Sequence, residues 1–267
     1  MRGNLHENLE LDNLSYCIIQ EENRLGGCNM ICEFCGNEFK KKVGQKFCSI
    51  SCGLANRAKP DNSVLCSNDS ISAYLLGFLY SDGCLSKEKG GRYRISFSSN
   101  DYELMQIIHS LATPHKKLYK NRNGYTVVSH NQKDIECLVG LGMPERKSLV
   151  LQFPVLPKEL IPAFIRGYFD GDGSVYFSTT TGNKIPYTYT RVKFTCGSRA
   201  FLESLKIILE EAEIKSTITR DNRPENHSYY LHVNTKESVL RFYNLIYQDN
   251  ELLLARKKDK FFNYDIV

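Results

Sequence analysis

The chain has 267 residues, enough for one large domain or two small ones, which excludes a peptide-sized scaffold. Hydrophobic residues make up 42% and charged residues 24%, and the mean hydropathy is -0.37. The sequence contains no apolar run near the roughly 18 residues that a membrane-spanning helix needs. The net charge of +5 is too small by itself to indicate a polyanionic partner. We expect a globular protein that is not embedded in a membrane.

Residues 1–27 are acidic and lack the apolar run of an export signal. We therefore expect an N-terminal extension of undetermined role and a cytoplasmic protein, with an organellar or nuclear location left open. In a reducing compartment the 10 cysteines are thiols or metal ligands, because disulfides do not persist there.

Four cysteines within residues 28–60 have the spacing of a zinc site. They form two close pairs, Cys32 with Cys35 and Cys48 with Cys52, separated by a polar, lysine-rich loop. Two such pairs can place four thiolates around one Zn²⁺, and metal binding would supply the folding energy that so short a segment lacks. The alternative is four buried or redox-active thiols. Cys28 could substitute as a ligand.

From residue 70 onward the chain contains an internal repeat. Gly77 matches Gly167 and Asp82 matches Asp172, and both pairs are 90 residues apart. After each aspartate the patterns repeat, so that each copy reads helix, two strands, helix, two strands, helix. This order predicts a linker at 61–69, a first half at 70–153 and a second half at 154–267.

Each half opens with a helix that should end at an Asp-Gly pair, with Gly83 and Gly173 in the left-handed conformation. The earlier glycine of each helix removes bulk, so the two helices can pack together and bring Asp82 and Asp172 close to each other. Two carboxylates at negative helix ends repel unless a cation lies between them, which predicts a divalent metal site with Mg²⁺ as its occupant.

The alternative is that each aspartate only supports its turn, since Asp-Gly is a common turn dipeptide. Duplication at matched positions favours the metal site. Asp170 has Tyr80 as its counterpart in the first copy, so we expect a structural or accessory role for it.

The strands of both halves alternate between apolar and polar side chains. Ile95 and Phe97 share one face with Tyr93, and Val192 and Phe194 do the same in the second half. The opposite faces carry basic, hydroxyl and aromatic groups of the kind that contact bases and phosphates, although a solvated sheet face is the alternative. The candidate DNA contacts are Arg92, Arg94, Ser96, Lys117, Lys120, Arg122, Tyr187, Tyr189, Arg191, Lys193, Lys215, Arg220, Arg223 and His232, with Lys40, Lys41 and Lys42 in the cysteine module.

The two motifs, Leu75 to Gly83 and Ile165 to Gly173, resemble the signature helices of single-chain LAGLIDADG homing endonucleases. Tyr80 and Arg166 depart from the signature lettering. The resemblance implies an α+β fold, a pseudo-twofold duplicated αββαββα unit whose sheets form a saddle on double-stranded DNA, preceded here by the small zinc-binding module. It also implies a monomer that hydrolyses one phosphodiester on each strand across the minor groove of a long asymmetric target.

By that resemblance Asp82 and Asp172 would hold the catalytic Mg²⁺, and Zn²⁺ would be structural. A basic residue near each site would help catalysis, which points to Lys147 and Lys257, with Arg146 and Arg256 as neighbours; contact with phosphate alone is the alternative. The termini lack intein splice-junction residues, so we expect a freestanding or intron-encoded enzyme. A catalytically inactive DNA-binding regulator and an intron RNA maturase remain alternatives on the same fold.

Overall fold

The computed structural model describes residues 29–40, 44–57, 59–122, 124–180, 187–223, 225–248 and 252–262. The chain divides into two compact units, of which one ends at Lys59 and the other begins at Pro60. The predicted N-terminal extension and Cys28 lie outside the described residues. Within the described part of the chain, no helix has the length and apolar character needed to cross a membrane.

The first unit contains a short hairpin followed by a helix. Strand β1 (Asn29–Ile31) pairs antiparallel with β2 (Glu38–Lys40), and helix α1 (Ile50–Arg57) follows. Gly36 lies in the turn between the strands with a φ of 73°, a left-handed conformation that glycine adopts without strain.

The second unit contains the same order of elements twice. The first half comprises α2 (Ser70–Asp82), β3 (Gly83–Lys87), β4 (Tyr93–Ser99), α3 (Tyr102–Ala112), β5 (Tyr119–Asn121), β6 (Gly124–Ser129) and α4 (Gln132–Gly140). The second half comprises α5 (Ile161–Asp172), β7 (Gly173–Thr180), β8 (Tyr187–Cys196), α6 (Arg199–Glu211), β9 (Thr217–Arg220), β10 (Tyr229–Val233) and α7 (Lys236–Ile246), followed by a short α8 (Ala255–Asp259). The αββαββα order predicted for each half is confirmed.

Each half builds a four-stranded antiparallel sheet with the same strand order. The order is β3-β4-β6-β5 in the first half and β7-β8-β10-β9 in the second. Gly83 lies opposite Phe97, and Gly173 lies opposite Phe194, so the two sheets also begin in the same register. The structure is therefore an internal duplication, as the repeat predicted, with the pseudo-twofold character that the resemblance implied.

The buried face of each sheet is formed by the apolar residues of the alternating pattern. Ile95 and Phe97 are buried in β4, and Val192 and Phe194 are buried in β8. Helices α3 and α6 cover these faces with their own apolar sides, which places Leu104, Ile108, Leu202 and Leu205 in the core. The polar side chains lie on the opposite face of each sheet.

Helices α2 and α5 lie at the centre of the unit and are buried over most of their length. Every residue of α2 from Ser72 to Ser81 is buried, and so is every residue of α5 from Ala163 to Asp170. Each helix packs against its own sheet on one side and against the other helix on an adjacent side. Because two sides are buried, the helix is apolar around most of its circumference.

Two buried carboxylates hold the residues before α2 against the first half. Asp134 in α4 accepts hydrogen bonds from the backbone N–H groups of Val64 and Leu65 at 2.9 and 3.0 Å. Asp61 accepts one from the Lys116 ammonium group at 2.6 Å. The stretch predicted as a linker thus lies in the second unit, where these bonds give it a defined path into α2.

Candidate functional site

Helices α2 and α5 touch through two glycines. A Cβ atom on Gly77 would lie 2.0 Å from the backbone oxygen of Phe164, and a Cβ atom on Gly167 would lie 2.0 Å from the backbone oxygen of Tyr74. Both distances are far below van der Waals contact, so only hydrogen fits at either position. The contact is reciprocal, as expected at a twofold axis. It confirms the predicted close packing of the two repeat helices.

The glycines that follow the helices differ from the sequence prediction. Gly83 has φ -107° and ψ 172°, and Gly173 has φ -86° and ψ 158°, so the left-handed conformation predicted for both is wrong. Each helix passes directly into a strand without the reversal that a left-handed cap makes. Glycine is needed here for space, because a Cβ atom would lie 2.7 Å from the backbone oxygen of Leu79 in one half and 2.5 Å from that of Phe169 in the other.

Asp82 and Asp172 are the last residues of α2 and α5 and lie side by side across this contact. The carboxyl carbon of Asp82 is 3.4 Å from the position that a Cβ atom on Gly171 would occupy, so the carboxylate of one half rests on the backbone of the other. Desolvation raises the pKa of Asp82, while desolvation and then the charge of Asp82 raise the pKa of Asp172 to about 6. Both side chains keep exposed surface. Two oxygen donors whose charges repel each other fit a divalent cation, which would relieve the repulsion.

Two lysines bind the carbonyl ends of the same helices. The Lys257 ammonium group lies 2.6 to 3.1 Å from four backbone oxygens at the end of α5 and the start of β7, which share its three N–H donors. The Lys147 ammonium group donates to the backbone oxygens of Tyr80, at 2.8 Å, and Ser81. A cation at this end of a helix offsets the negative end of the helix dipole.

The four residues predicted as catalytic therefore meet at the paired helix ends. Burial lowers the pKa of both Lys147 and Lys257, that of Lys257 to about 8. Their observed partners are main-chain oxygens. Each lysine thus holds the end of the helix that carries the aspartate of its own half.

Sequence reasoning missed a carboxylate beside this site. Asp101, just before α3, binds Arg256 of α8 through two hydrogen bonds of 2.6 Å, and this pair bridges the two halves. The bonds from Arg256 hold the pKa of Asp101 below its usual range, and the charge of Asp101 in turn contributes to the raised pKa of Asp82. The two partners are 155 residues apart, and an aspartate before a helix commonly serves only as a cap.

Asp170 and Arg166 are buried in α5 and hold the segment that leads into α8. The Asp170 carboxylate accepts hydrogen bonds from the Tyr74 hydroxyl and from the backbone N–H of Leu254, both at 2.8 Å. Arg166 donates to the backbone oxygen of Leu252 at 2.8 Å. Burial raises the pKa of Asp170 to about 6. This geometry accounts for the departure at Arg166 and gives Asp170 a structural task.

The polar face of the second sheet carries long basic and aromatic side chains. The Lys193 ammonium group lies 4.9 Å from the centre of the Tyr230 ring and 5.9 Å from that of Tyr176. The Arg191 guanidinium group lies 5.4 Å from the centre of the Tyr189 ring. Cations over aromatic faces are stabilised and held in place, so these side chains form an ordered basic surface.

The polar face of the first sheet carries shorter side chains and an acidic one. Arg94 donates to the Ser86 hydroxyl at 3.1 Å and lies 3.9 Å from Glu88, which also pairs with Arg92 at 3.2 Å. Hydrogen bonds from His130 and then Arg92 lower the pKa of Glu88. The positive charge predicted on this face is thus partly neutralised.

The other predicted DNA contacts lie on the interior strands β4, β8 and β10 and around the edge strands and loops. Arg223 is bound by Asp221 at 2.7 Å in the loop between β9 and β10. The remainder comprise Ser96 on β4, Lys117, Lys120 and Arg122 around β5, Tyr187 at the start of β8, Lys215 and Arg220 around β9, His232 on β10, and Lys40 on β2. Lys41 and Lys42 lie outside the described residues.

The sulfur atoms of Cys32, Cys35, Cys48 and Cys52 all lie within 4.8 Å of one another. The Cys48 sulfur is 3.6 Å from that of Cys35 and 3.5 Å from that of Cys52. Four thiolates around one Zn²⁺ at about 2.3 Å would be about 3.8 Å apart, so the observed spacing fits a tetrahedral zinc site. Although desolvation opposes ionisation of Cys32, backbone N–H groups, including that of Cys48 at 3.4 Å, lower its pKa to about 6 and favour the thiolate.

Two αββαββα halves that meet at their acidic helix ends define a tandem-repeat protein whose candidate site is shared by the two halves. The family model described as a LAGLIDADG-like domain matches residues 69–137 and 159–247, which together are more than half of the chain. The protein belongs to the LAGLIDADG-like domain family.

Solved structures of the meganuclease I-SmaMI and of the homing endonuclease I-DmoI match this chain. A variant of I-SmaMI is 12% identical, with a TM-score of 0.50, over 70% of this chain and 87% of that chain. A structure of I-DmoI variants is 22% identical, with a TM-score of 0.47, over 66% of this chain and 90% of that chain.

Curated relatives match the chain over a small part of their own length. One is the probable translation initiation factor IF-2 of Methanocaldococcus jannaschii, 27% identical over 188 residues. Another is the tRNA-splicing ligase RtcB of Pyrococcus furiosus, 28% identical over 196 residues. The matched part is 64% of this chain in both cases but 14% and 20% of the relatives, so this chain spans a fifth or less of the curated relatives it matches.

Proposed function

We propose that this protein is a site-specific endonuclease that hydrolyses one phosphodiester on each strand of double-stranded DNA. The observation that carries the proposal is the reciprocal glycine contact, which holds Asp82 and Asp172 together at paired helix ends between two lysines. The pseudo-twofold relation of the halves matches the antiparallel strands of a duplex, so each half can serve one strand.

The residues at the helix ends fit a divalent cation, for which we propose Mg²⁺ held by Asp82 and Asp172. Such a cation supplies Lewis acidity toward the scissile phosphate. Lys147 and Lys257 place positive charge beside the two carboxylates, which lowers the repulsion that a phosphate meets on approach. The polar sheet faces bind phosphates and base edges along the duplex and set its register over the two aspartates.

The curated relatives support a mobile origin for this domain. Their names describe translation, RNA ligation, DNA synthesis and ATP synthesis, and each matches over a minor part of its length. A segment shared by proteins with unrelated tasks is best explained as an insertion that spreads between genes. An endonuclease that cuts a long asymmetric DNA site would promote such spread, and this supports the proposal that the protein acts in homing.

In the cysteine module we propose one structural Zn²⁺, bound by the four clustered cysteines. Metal binding would stabilise the small hairpin and helix of the first unit, which buries few apolar side chains of its own. Lys40 and its neighbours would then add phosphate contacts, which strengthen binding without adding sequence information. A single chain supplies both halves of the site, so the proposed enzyme acts as a monomer.

The test is incubation of the full chain with a randomised duplex DNA library in Mg²⁺ and, separately, in Ca²⁺, followed by sequencing of new ends. We expect recurrent Mg²⁺-dependent ends at one long motif. Asp82→Asn and Asp172→Asn should retain binding and lose double-strand cleavage, whereas Glu211→Gln, at the exposed end of α6, should cut normally. Binding without cutting would favour a regulator, and a chain that ignored DNA but bound intron RNA would favour a maturase.

A further inference from the structure

The two sheets can be compared position by position because their ladders begin in the same register, with Gly83 opposite Phe97 and Gly173 opposite Phe194. Counting back one residue from each phenylalanine places Ser96 of β4 at the same position as Lys193 of β8. The next ladders agree with this alignment. Ser96 lies opposite Val128, and Lys193 lies opposite His232.

At the centre of the polar face the two halves carry side chains of very different size and charge. Four positions that are short in the first half are long and basic or aromatic in the second. The equivalent pairs are Ser86 and Tyr176, Ser96 and Lys193, Thr126 and Tyr230, and Val128 and His232. The fold is duplicated, but the surface that faces the proposed DNA is not.

Lys193 is oriented by its neighbours and is not neutralised by them. The rings of Tyr176 and Tyr230 flank its ammonium group, and no ion pair joins it to a carboxylate among the residues that the structure describes. His232 is held between the hydroxyls of Thr219 at 3.0 Å and Tyr176 at 3.4 Å. Burial, followed by the charges of Lys193 and Arg191, lowers the pKa of His232 and so favours its neutral form.

In the first half a carboxylate accompanies the basic side chains of the polar face. Glu88 pairs with Arg92 and Arg94, whereas Ser178 occupies the position equivalent to Glu88 in the second half. A base edge facing Arg94 would therefore compete with a carboxylate for the same guanidinium group. Serine and threonine hydroxyls at the centre of this face are too short to reach where lysine or tyrosine would reach, so water would fill the space.

We propose that the two half-sites of the DNA target carry unequal sequence information, an inference that rests on the proposed endonuclease function. The second half reads its half-site directly, with Lys193 as a specificity-determining residue that selects guanine through O6 and N7. The first half reads its half-site loosely, through water and phosphate contacts.

Selection of binders or cleaved products from a randomised duplex library gives the information content at each base position. The variants are Lys193→Ser, which installs the residue of the first half, and Lys193→Met, which keeps the side-chain length. Lys236→Ser is the matched control, because it removes an equal charge from α7, a helix that packs on the buried side of the same sheet. Thermal unfolding verifies that each variant folds.

We expect wild type to select a motif with more information in one half than in the other. In both Lys193 variants, guanine preference at one or two positions of that richer half should fall by about 5- to 100-fold. Lys236→Ser should leave every preference unchanged.

Equal information in the two half-sites would overturn the inference while leaving the endonuclease function intact. So would loss of preference in the poorer half, or Lys193 variants with wild-type preferences. If selection with the wild-type protein enriched no DNA sequence at all, the proposed function would be refuted, and this inference with it.

Discussion

Gly77→Ala is the most direct perturbation of the contact between α2 and α5. The added Cβ atom would lie 2.0 Å from the backbone oxygen of Phe164 and 2.9 Å from both its carbonyl carbon and the backbone nitrogen of Tyr168. A carbon and a carbonyl oxygen normally stay about 3.3 Å or more apart, so the helices would have to separate by more than about 1 Å. The obstructing atoms are backbone atoms, so no side-chain rotation can relieve the overlap.

Two effects of opposite sign decide how Gly77→Ala changes the free energy of unfolding. Alanine is favoured over glycine inside a helix by about 1 kcal/mol. Overpacking a well-filled interior costs about 1 to 3 kcal/mol, and a rigid backbone contact places this site at the upper end of that range. We therefore expect Gly77→Ala to lower stability by about 2 kcal/mol. Cleavage should fall further than the folded fraction does, because Asp82 moves relative to Asp172.

Urea unfolding measures the change in stability, provided that the free energy of unfolding has the same slope against urea concentration in both proteins. Cleavage of the selected target measures the loss of activity. Gly140→Ala is the matched control, since Gly140 ends helix α4 and a Cβ atom there would meet nothing within 4 Å. That variant should match wild type or exceed it by up to about 1 kcal/mol. A Gly77→Ala protein as stable and as active as wild type would refute the reasoning about the contact.

Three further predictions concern the ionisable groups. Asp170→Asn should weaken the pH dependence of the free energy of unfolding. Because the Asp170 carboxyl has a pKa of about 6 in the folded state, that state binds more protons than the unfolded state between about pH 4 and 6. Asp170 therefore makes wild type more stable as the pH falls through that window. Urea unfolding at pH 7 and pH 5 checks this, and an unchanged difference between the two pH values would contradict it. Lys257→Met should lower the free energy of unfolding by about 1 to 3 kcal/mol, and with it the melting temperature, because buried carbonyl oxygens lose their hydrogen-bond donor. Lys260→Met, at an exposed lysine, is the control. Equal melting temperatures of the two variants would argue against the capping role of Lys257. Elemental analysis should find one zinc in wild type and in Cys66→Ser but none in Cys35→Ser, and a zinc content unaffected by Cys35→Ser would exclude the four-cysteine site.

Local patterns were sufficient to predict the order of elements and the pairing of the repeat helices. The spacing of Gly77 and Asp82, repeated 90 residues later, predicted that the two helices pack through their glycines. The alternation around Ile95 and Val192 predicted which face of each sheet is buried. Such features depend on residues a few positions apart, so they can be read along the chain.

Features that depend on distant residues could not be predicted in this way. The pair of Asp101 and Arg256 requires the end of the second half to return to the first, and no local pattern records that path. The conformation of Gly83 was predicted wrongly because an Asp-Gly pair has the same sequence whether the chain reverses or continues into a strand. The different occupants of the two sheet faces are visible in the sequence, but the register is needed to show that Ser96 and Lys193 are equivalent.

The burial of α2 has a consequence for folding autonomy. From Ser72 to Ser81 the helix offers no polar side to solvent, since its own sheet covers one side and α5 covers much of the other. The two helices begin about 90 residues apart, so this surface is covered only after a long segment of chain has closed on itself. A chain that ended at Phe153 would leave the α5-facing side of α2 exposed, and it could cover that side only by pairing with a second copy of itself. We therefore expect neither half to fold on its own, and we expect the second unit to unfold as one cooperative domain despite its internal repeat.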